Sequence, residues 1–319
     1  MEAVVAAPRS RESRIGAYVA FAAICVIWGT TFAAIRVAIE TIPTLLVAGI
    51  RFLIAGLLLL GIAGLGRARF PRSAREWRDH AVAGVLMAGV ANTLVVYAEH
   101  TLSSGLAALL ASTIPIWMVA MESALGLSSL TRGKVAGLVL GFAGVALLVA
   151  PAIGRVDLSL RFLLAVGAMQ LNAVCWNAGT LLSRRHRAGA DVRAAAAPVA
   201  VADPMAVSTV QMLAGGVAVT LAAFASGERP TLDMVSIRSS VALLYLAVFG
   251  SVVAYTAYNY AQTKLSAGKV ASYAYVNPAI AVLTGALLLS EPVTLRMIAS
   301  MAIILAGVAL IQIDRTRAG

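Results

Sequence analysis

The residues of this chain that could do chemistry are polar side chains set, at helical spacing, inside long apolar stretches. Tyr255, Tyr258 and Asn259 fall at i, i+3 and i+4 and share one helix face, as do Tyr273 and Asn277 four apart. Asn92, Tyr97 and Asn177 interrupt other apolar stretches in the same way. A polar group in hydrocarbon needs a partner, so these side chains are expected to face a cavity or a neighbouring helix. The pattern suits hydrogen bonding of a small solute, and it suits helix-to-helix bonds equally well. Trp28 and Trp176 stand near the middle of their stretches, too deep for an interfacial belt, where they could wall a pocket or pack the interior. The charged residues inside apolar stretches are Arg36, Arg51, Glu99 and Glu122. We expect Arg36 or Arg51 to pair with Glu99 as a gate or brace, the alternative being that Arg36 and Glu99 snorkel to headgroups and leave Arg51 in water at a cavity edge. Glu99 and Glu122 are the candidates to carry a proton. All Asp residues fall in loops or at helix ends, and His80, His100 and His186 are dispersed, so no metal site or carboxylate-cluster enzyme is expected. There is no Gly-x-x-x-x-Gly-Lys-Ser/Thr loop for ATP, and no cofactor is expected.

The elements that must position these residues are membrane helices. The chain is 61 % hydrophobic and 12 % charged, with a mean hydropathy of +0.90, where an ordinary soluble domain has roughly 25 % charged residues. Ten apolar runs near the bilayer-spanning length recur: 17–39, 43–65, 80–99, 104–127, 132–150, 161–183, 205–226, 240–262, 267–289 and 293–313. The first run passes signal-peptide length and reaches Arg36, so it is read as a retained helix. Cys25 and Cys175 lie near helix centres and are expected to stay unpaired. With the N-terminus inside, eighteen of the Lys and Arg residues fall on the cytoplasmic side and five outside. That asymmetry places both termini in the cytoplasm and accounts for the net charge of +11 without nucleic acid.

The chain also repeats itself. At an offset of 163, Tyr97 falls on Tyr260, Gly105 on Gly268, Pro115 on Pro278, and Ala143–Leu147 on Ala306–Leu310. At an offset of 148, Trp28 and Arg36 fall on Trp176 and Arg184. Five helices per unit would turn the second unit over in the membrane. The expected fold is therefore an all-α integral membrane protein of ten transmembrane helices in two inverted five-helix repeats, 17–151 and 161–313. A cytoplasmic tail 1–16, a linker 185–203 and a C-terminal tail 314–319 complete it. Pro115 and Pro278 are expected mid-way along helices 4 and 9, as hinges beside a substrate site or as simple kinks. Gly133, Gly137, Gly141 and Gly144 give helix 5 a small-residue face for close packing.

The strings Ile27-Trp28-Gly29-Thr30-Thr31-Phe32, Arg51-Phe52, Ala98-Glu99-His100, Ser104-Gly105 and Ser272-Tyr273-Ala274-Tyr275-Val276-Asn277-Pro278 resemble the EamA branch of the drug/metabolite transporter superfamily, and most of all its YedA-type inner-membrane members. The resemblance implies two EamA repeats, alternating access and export of an amino acid, metabolite or drug, with proton exchange as an energy source; the residues suit uncoupled facilitated export as well. A bacterial cytoplasmic membrane, a small-molecule substrate and function as a monomer are the corresponding expectations. Family members often carry Gly-Glu after the ninth helix, where this chain has Ser290-Glu291 and, in its first repeat, Ser128. Helix capping is the role expected of Glu291. A membrane-embedded enzyme and a non-transporting receptor are the remote alternatives.

Overall fold

A computed structural model describes residues 11–154, 160–194, 202–229, 233, 235–265, 270 and 273–317. The described residues contain helices and no strands. We number the helices α1 (Arg11–Ala38), α2 (Thr44–Leu65), α3 (Ala74–Ala98), α4 (Ser104–Ala124), α5 (Arg132–Gly154), α6 (Leu160–Ala194) and α7 (Pro204–Ala225). Ile237–Tyr245, Leu246–Val253 and Ala254–Lys264 run on without a break and together make α8, followed by α9 (Tyr273–Leu289) and α10 (Leu295–Arg317). Among the described residues seven helices are long and apolar enough to cross a membrane, with shorter apolar helices at Val276–Leu289 and Leu295–Ile311. Their outward faces are apolar, as at Leu57, Leu221 and Leu288, which suits contact with hydrocarbon.

Local chemistry sets the helix ends. Ser73, Ser103 and Ser236 accept the N–H groups of Glu76, Leu106 and Ser239 at 3.2, 3.3 and 3.0 Å, each satisfying a donor that the first helical turn leaves free. Gly126 and Gly227, with φ of +68° and +86°, turn the chain just beyond α4 and α7. Two starts and one end depart most from the sequence expectation, the first being that of α1, which begins at Arg11 rather than at 17, so that part of the expected tail 1–16 is helical. Helix α3 begins at Ala74 rather than at 80, because the Ser73 cap recruits a polar first turn that hydropathy does not reveal. Helix α6 continues to Ala194, so the first part of the expected linker, 185–194, is helical; its Ala and Arg residues are good helix formers. Of the remainder, 195–201 lies outside the described residues and 202–203 lead into α7.

Small residues let the helices meet backbone to backbone. A Cβ on Gly216 of α7 would lie 2.6 Å from the Leu53 nitrogen of α2. A Cβ on Gly307 of α10 would lie 2.7 Å from the Gly137 oxygen of α5. The glycine face read on helix 5 is thus spent inside the molecule at Gly137, Gly141 and Gly144. Beyond these two pairs, α1 packs against α8 and α9, and α6 packs against α3 and α4.

Helix α4 is interrupted rather than kinked. Ser104–Ala111 ends in a turn at Ser112 and Thr113, and Ile114–Ala124 restarts with Pro115 in its first turn. Pro115 is therefore a helix start and not a mid-helix residue, which corrects the expectation. Its missing N–H would be idle in a first turn, and the hydroxyls of Ser112 and Thr113 take up the carbonyls of Leu109 and Leu110 at 2.6 and 2.7 Å. Pro278 lies inside a continuous α9, five residues from the start of its described stretch.

Candidate functional site

Two of the helices that enclose the interior contain a stretch wound wider than an α-helix, with i→i+5 spacing: Val85–Ala91 in α3 and Leu246–Val253 in α8. Side chains close carbonyls at both, five residues back: Asn92 Nδ2 donates to Met87 O at 2.9 Å and Ser251 Oγ to Leu246 O at 3.0 Å. At the offset of 163 these stretches overlap, and Asn92 falls on Tyr255. Both residues line one cavity.

The cavity is about 110 Å³. One water needs ~10–15 Å³ by this measure, so it has room for several waters or for a small organic molecule. Its wall is drawn from α1, α2, α3, α4, α6, α8 and α9 and includes Trp28, Arg51, Asn92, Asn172, Trp176, Tyr255, Tyr273, Asn277 and Pro278. The break in α4 contributes Ala111, Ser112 and Ile114.

Trp28 is the hub of an aromatic cluster. Its ring centroid lies 6.3 Å from Trp176, 5.7 Å from Tyr255, 5.2 Å from Tyr258 and 5.0 Å from Tyr273, mostly edge to face. Its indole Nε1 donates to Gly250 O at 3.1 Å, inside the wide stretch of α8. The same stretch receives Arg51, whose Nε donates to Ser251 Oγ at 2.9 Å and whose guanidinium stands 4.9 Å from the centre of the Phe52 ring. Asn172 Nδ2 donates to Ala91 O at 2.8 Å, while its Oδ1 has no partner. The Tyr255 hydroxyl is likewise buried without one. In the orientation that satisfies its amide, Asn277 Nδ2 donates to the carbonyls of Tyr273 and Cys25 at 3.2 and 3.0 Å.

The sequence candidates separate clearly. Trp28, Asn92, Trp176, Tyr255, Tyr273 and Asn277 come together at the cavity, and Tyr258 backs the tryptophan hub from behind. Tyr97 does not join them: it is 42 % exposed, and its repeat partner Tyr260 is 39 % exposed, so both face outward. Asn177 serves as interhelical glue, donating to Ile114 O at 2.8 Å beside the α4 break. The side chain of Asn259 lies outside the described residues. Glu122 sits in the last turn of α4, away from the cavity wall.

The expected carboxylate pair is not formed. Arg36 Nη1 donates to the backbone carbonyl of Glu99 rather than to its side chain. The Glu99 carboxyl is fully buried, and neither oxygen has a hydrogen-bond partner. Arg51 lines the cavity, the place the alternative reading gave it. Sequence reasoning did not select Asn172, Thr31 or Ser251. Asn172 was visible as a polar residue in an apolar stretch, whereas small hydroxyls so placed are too common to single out.

Outside the membrane-spanning segments, Asp203 ties the start of α7 to the α2–α3 connection. Its Oδ2 accepts Arg69 N at 2.7 Å and its Oδ1 lies 3.1 Å from Arg69 Nη2. The Arg69 backbone N–H holds this carboxyl below its usual range; partial burial opposes the shift, and the guanidinium adds to it. His100 is shifted down by burial and by Arg36, with Glu228 opposing.

The model of the EamA-like transporter family matches residues 15–150 and 163–313, nearly the whole chain. The chain belongs to the EamA-like transporter family. Among its relatives is the uncharacterized inner membrane transporter YedA of Escherichia coli strain K12, 31 % identical over 264 residues, covering 82 % of this chain and 79 % of YedA. The uncharacterized transporter YvbV of Bacillus subtilis strain 168 is 27 % identical over 305 residues, 96 % of this chain and 92 % of that one. A protein of known crystal structure shares the fold alone, with a TM-score of 0.65 at 19 % identity over 97 % of this chain and 99 % of that one. Members of the EamA-like family and these named relatives are transporters, not enzymes. This chain is accordingly a multi-pass membrane transporter, and its central cavity is the candidate substrate site.

Proposed function

We propose that the protein exports a small organic solute (an amino acid, a metabolite or a drug) across the bacterial cytoplasmic membrane by alternating access, as a monomer with both termini inside. The observation that carries this reading is the composition of the cavity wall, in which matched residues of the two halves, Trp28 with Trp176 and Asn92 with Tyr255, face one space. Two inverted five-helix halves, crossing ten times, are supported by the packing. Exchanging the halves, so that helices 1–5 take the places of 6–10 and the reverse, turns the contacts of α1 with α8 and α9 into those of α6 with α3 and α4, and maps α2 with α7 and α5 with α10 onto themselves. The division of the family match at residues 150 and 163 points the same way.

Proton exchange through Glu99 is the energy source we favour, because its buried carboxyl has no hydrogen-bond partner for either oxygen. Purified protein in liposomes, offered amino acids and cationic and anionic organic solutes with and without a pH gradient, tests both parts. Solute-dependent flux is expected, and its response to the gradient separates proton exchange from uncoupled export. Absence of flux across a broad panel would overturn the transport reading.

A further inference from the structure

The cavity has one sign of charge. Among the described residues that line it, Arg51 is the sole charged side chain, and no carboxylate shares the wall. Arg51 is 4 % exposed and lies seven residues into α2 from Thr44, roughly 10 Å along the helix axis at ~1.5 Å per residue. Among the described residues its side chain makes one hydrogen bond, from Nε to the neutral Ser251 Oγ, and no anionic partner lies within ion-pair distance. A guanidinium at such depth is costly unless an anion or water meets it. Beside it the buried Tyr255 hydroxyl has no partner, and Asn172 Oδ1 is an unpartnered acceptor. The rest of the wall is flat and aromatic at Trp28, Trp176 and Tyr273.

We propose that the cavity is a receptor for small organic monoanions, a carboxylate joined to a flat apolar body. Arg51 and the Tyr255 hydroxyl bind the carboxylate, the tryptophans cover the body, and Asn172 Oδ1 accepts from any N–H or O–H next to the carboxylate. The guanidinium fork matches a carboxylate, which Lys in the same place would meet only as a point charge. This inference rests on the cavity being the substrate site and adds the substrate's charge.

The test uses three probes with one body and three head groups: phenylacetate, phenylacetamide and phenethylamine. Their binding to the full-length protein in detergent is measured by calorimetry and by the shift in Tm. Phenylacetate should bind about tenfold or more tighter than the amide, since a hydrogen bond to a charged group is worth that factor, and the amine should bind weakest. Chloride and nitrate, which lack the body, should not compete at equal concentration. Arg51→Gln should remove the advantage of the acid over the amide. Equal binding of all three heads, a preference for the amine, or competition by chloride as effective as by phenylacetate would overturn the proposal. The head-group series runs on the unaltered protein and decides the matter even if the variant does not fold. Because binding is read without a gradient, charge-selective binding with no flux in liposomes would sink transport and leave this assignment standing. Flux without charge selectivity would do the reverse.

Discussion

Glu291, in the connection between α9 and α10, closes the N-terminus of α4, nearly two hundred residues away in sequence. Its Oε1 accepts Ser104 N at 2.9 Å, and its Oε2 accepts Ser104 Oγ at 2.7 Å and Gly105 N at 3.3 Å. A carboxylate facing the free N–H groups of a helix start is favoured by both hydrogen bonding and the helix dipole. The role expected from sequence was capping, and the structure adds that the capped helix belongs to the other half. In the first repeat the equivalent position is Ser128, whose Oγ instead accepts Lys134 Nζ at 2.6 Å. The equivalent positions of the two repeats therefore make different contacts. Glu291→Ala should lower stability by about 0.5–2 kcal/mol, the usual cost of a lost cap, read as a fall in Tm in detergent. Gly285→Ala should do similar harm with the acid still in place, because its Cβ would meet Ser104 Oγ at 2.5 Å and run into the Glu291 carboxylate.

Ser290 offers the opposite change. Its φ of 53° lies in the left-handed region that disfavours residues with a Cβ, by roughly 1–2 kcal/mol. Ser290→Gly relieves that strain, partly offset by the greater freedom of glycine in the unfolded chain. A rise in Tm is the expected result, and no change or a fall would show that the Ser290 side chain contributes something a glycine lacks.

Asp203 supplies a pH dependence. Because its pKa is depressed in the folded protein, the stability it contributes is fully present above the unfolded carboxylate pKa near 3.9 and is lost as pH falls through the lower folded value. Asp203→Asn should therefore lower Tm at pH 7, and the gap to wild type should close in the acid range. A gap that persists unchanged at low pH would mean that the charge of Asp203 is not what matters.

Helix contacts made by glycine leave no room for a side chain. Gly216→Leu, at the α2–α7 contact, and Gly307→Leu, at the α5–α10 contact, should each cost about 1–3 kcal/mol or more, because backbone rather than a movable side chain stands in the way. Gly61 and Gly64 of α2 have nothing within 4 Å of a built Cβ, so Gly61→Ala is expected to be tolerated and serves as the control.

The orientation is open to a labelling experiment. In a background with Cys25 and Cys175 replaced, Ser226→Cys should react with an impermeant thiol reagent added to whole cells, and Ser73→Cys should react only after lysis. The opposite pattern would reverse the proposed topology.

Helix positions were legible in the sequence because hydrocarbon tolerates only long apolar runs, and the Trp28–Trp176 pairing was legible because the chain repeats. Side-chain direction was not. Tyr97 and Tyr255 are both tyrosines in apolar stretches, yet one faces outward and the other inward, since the wide turns in α3 and α8 break the regular 100° step on which a helical-wheel reading depends. No residue type demands such a turn, so the pattern carries no mark of it. The contact of Arg51 was hidden for a related reason: its partner, Ser251, is a small hydroxyl inside one of these turns. The Glu291 cap spans the two halves, and spacing along the chain does not report a contact of that kind.

Each wide turn acts as a phase shifter. An additional residue in the coil rotates everything after it by roughly a third of a revolution relative to an unbroken helix. Asn92 and Tyr255, each just beyond its turn, are aimed at the cavity by that rotation and not by their distance from the helix start. Deleting one residue from Val85–Ala91 or from Leu246–Val253 would leave composition and hydropathy almost untouched. It would swing the far end of the helix, polar face included, toward the lipid.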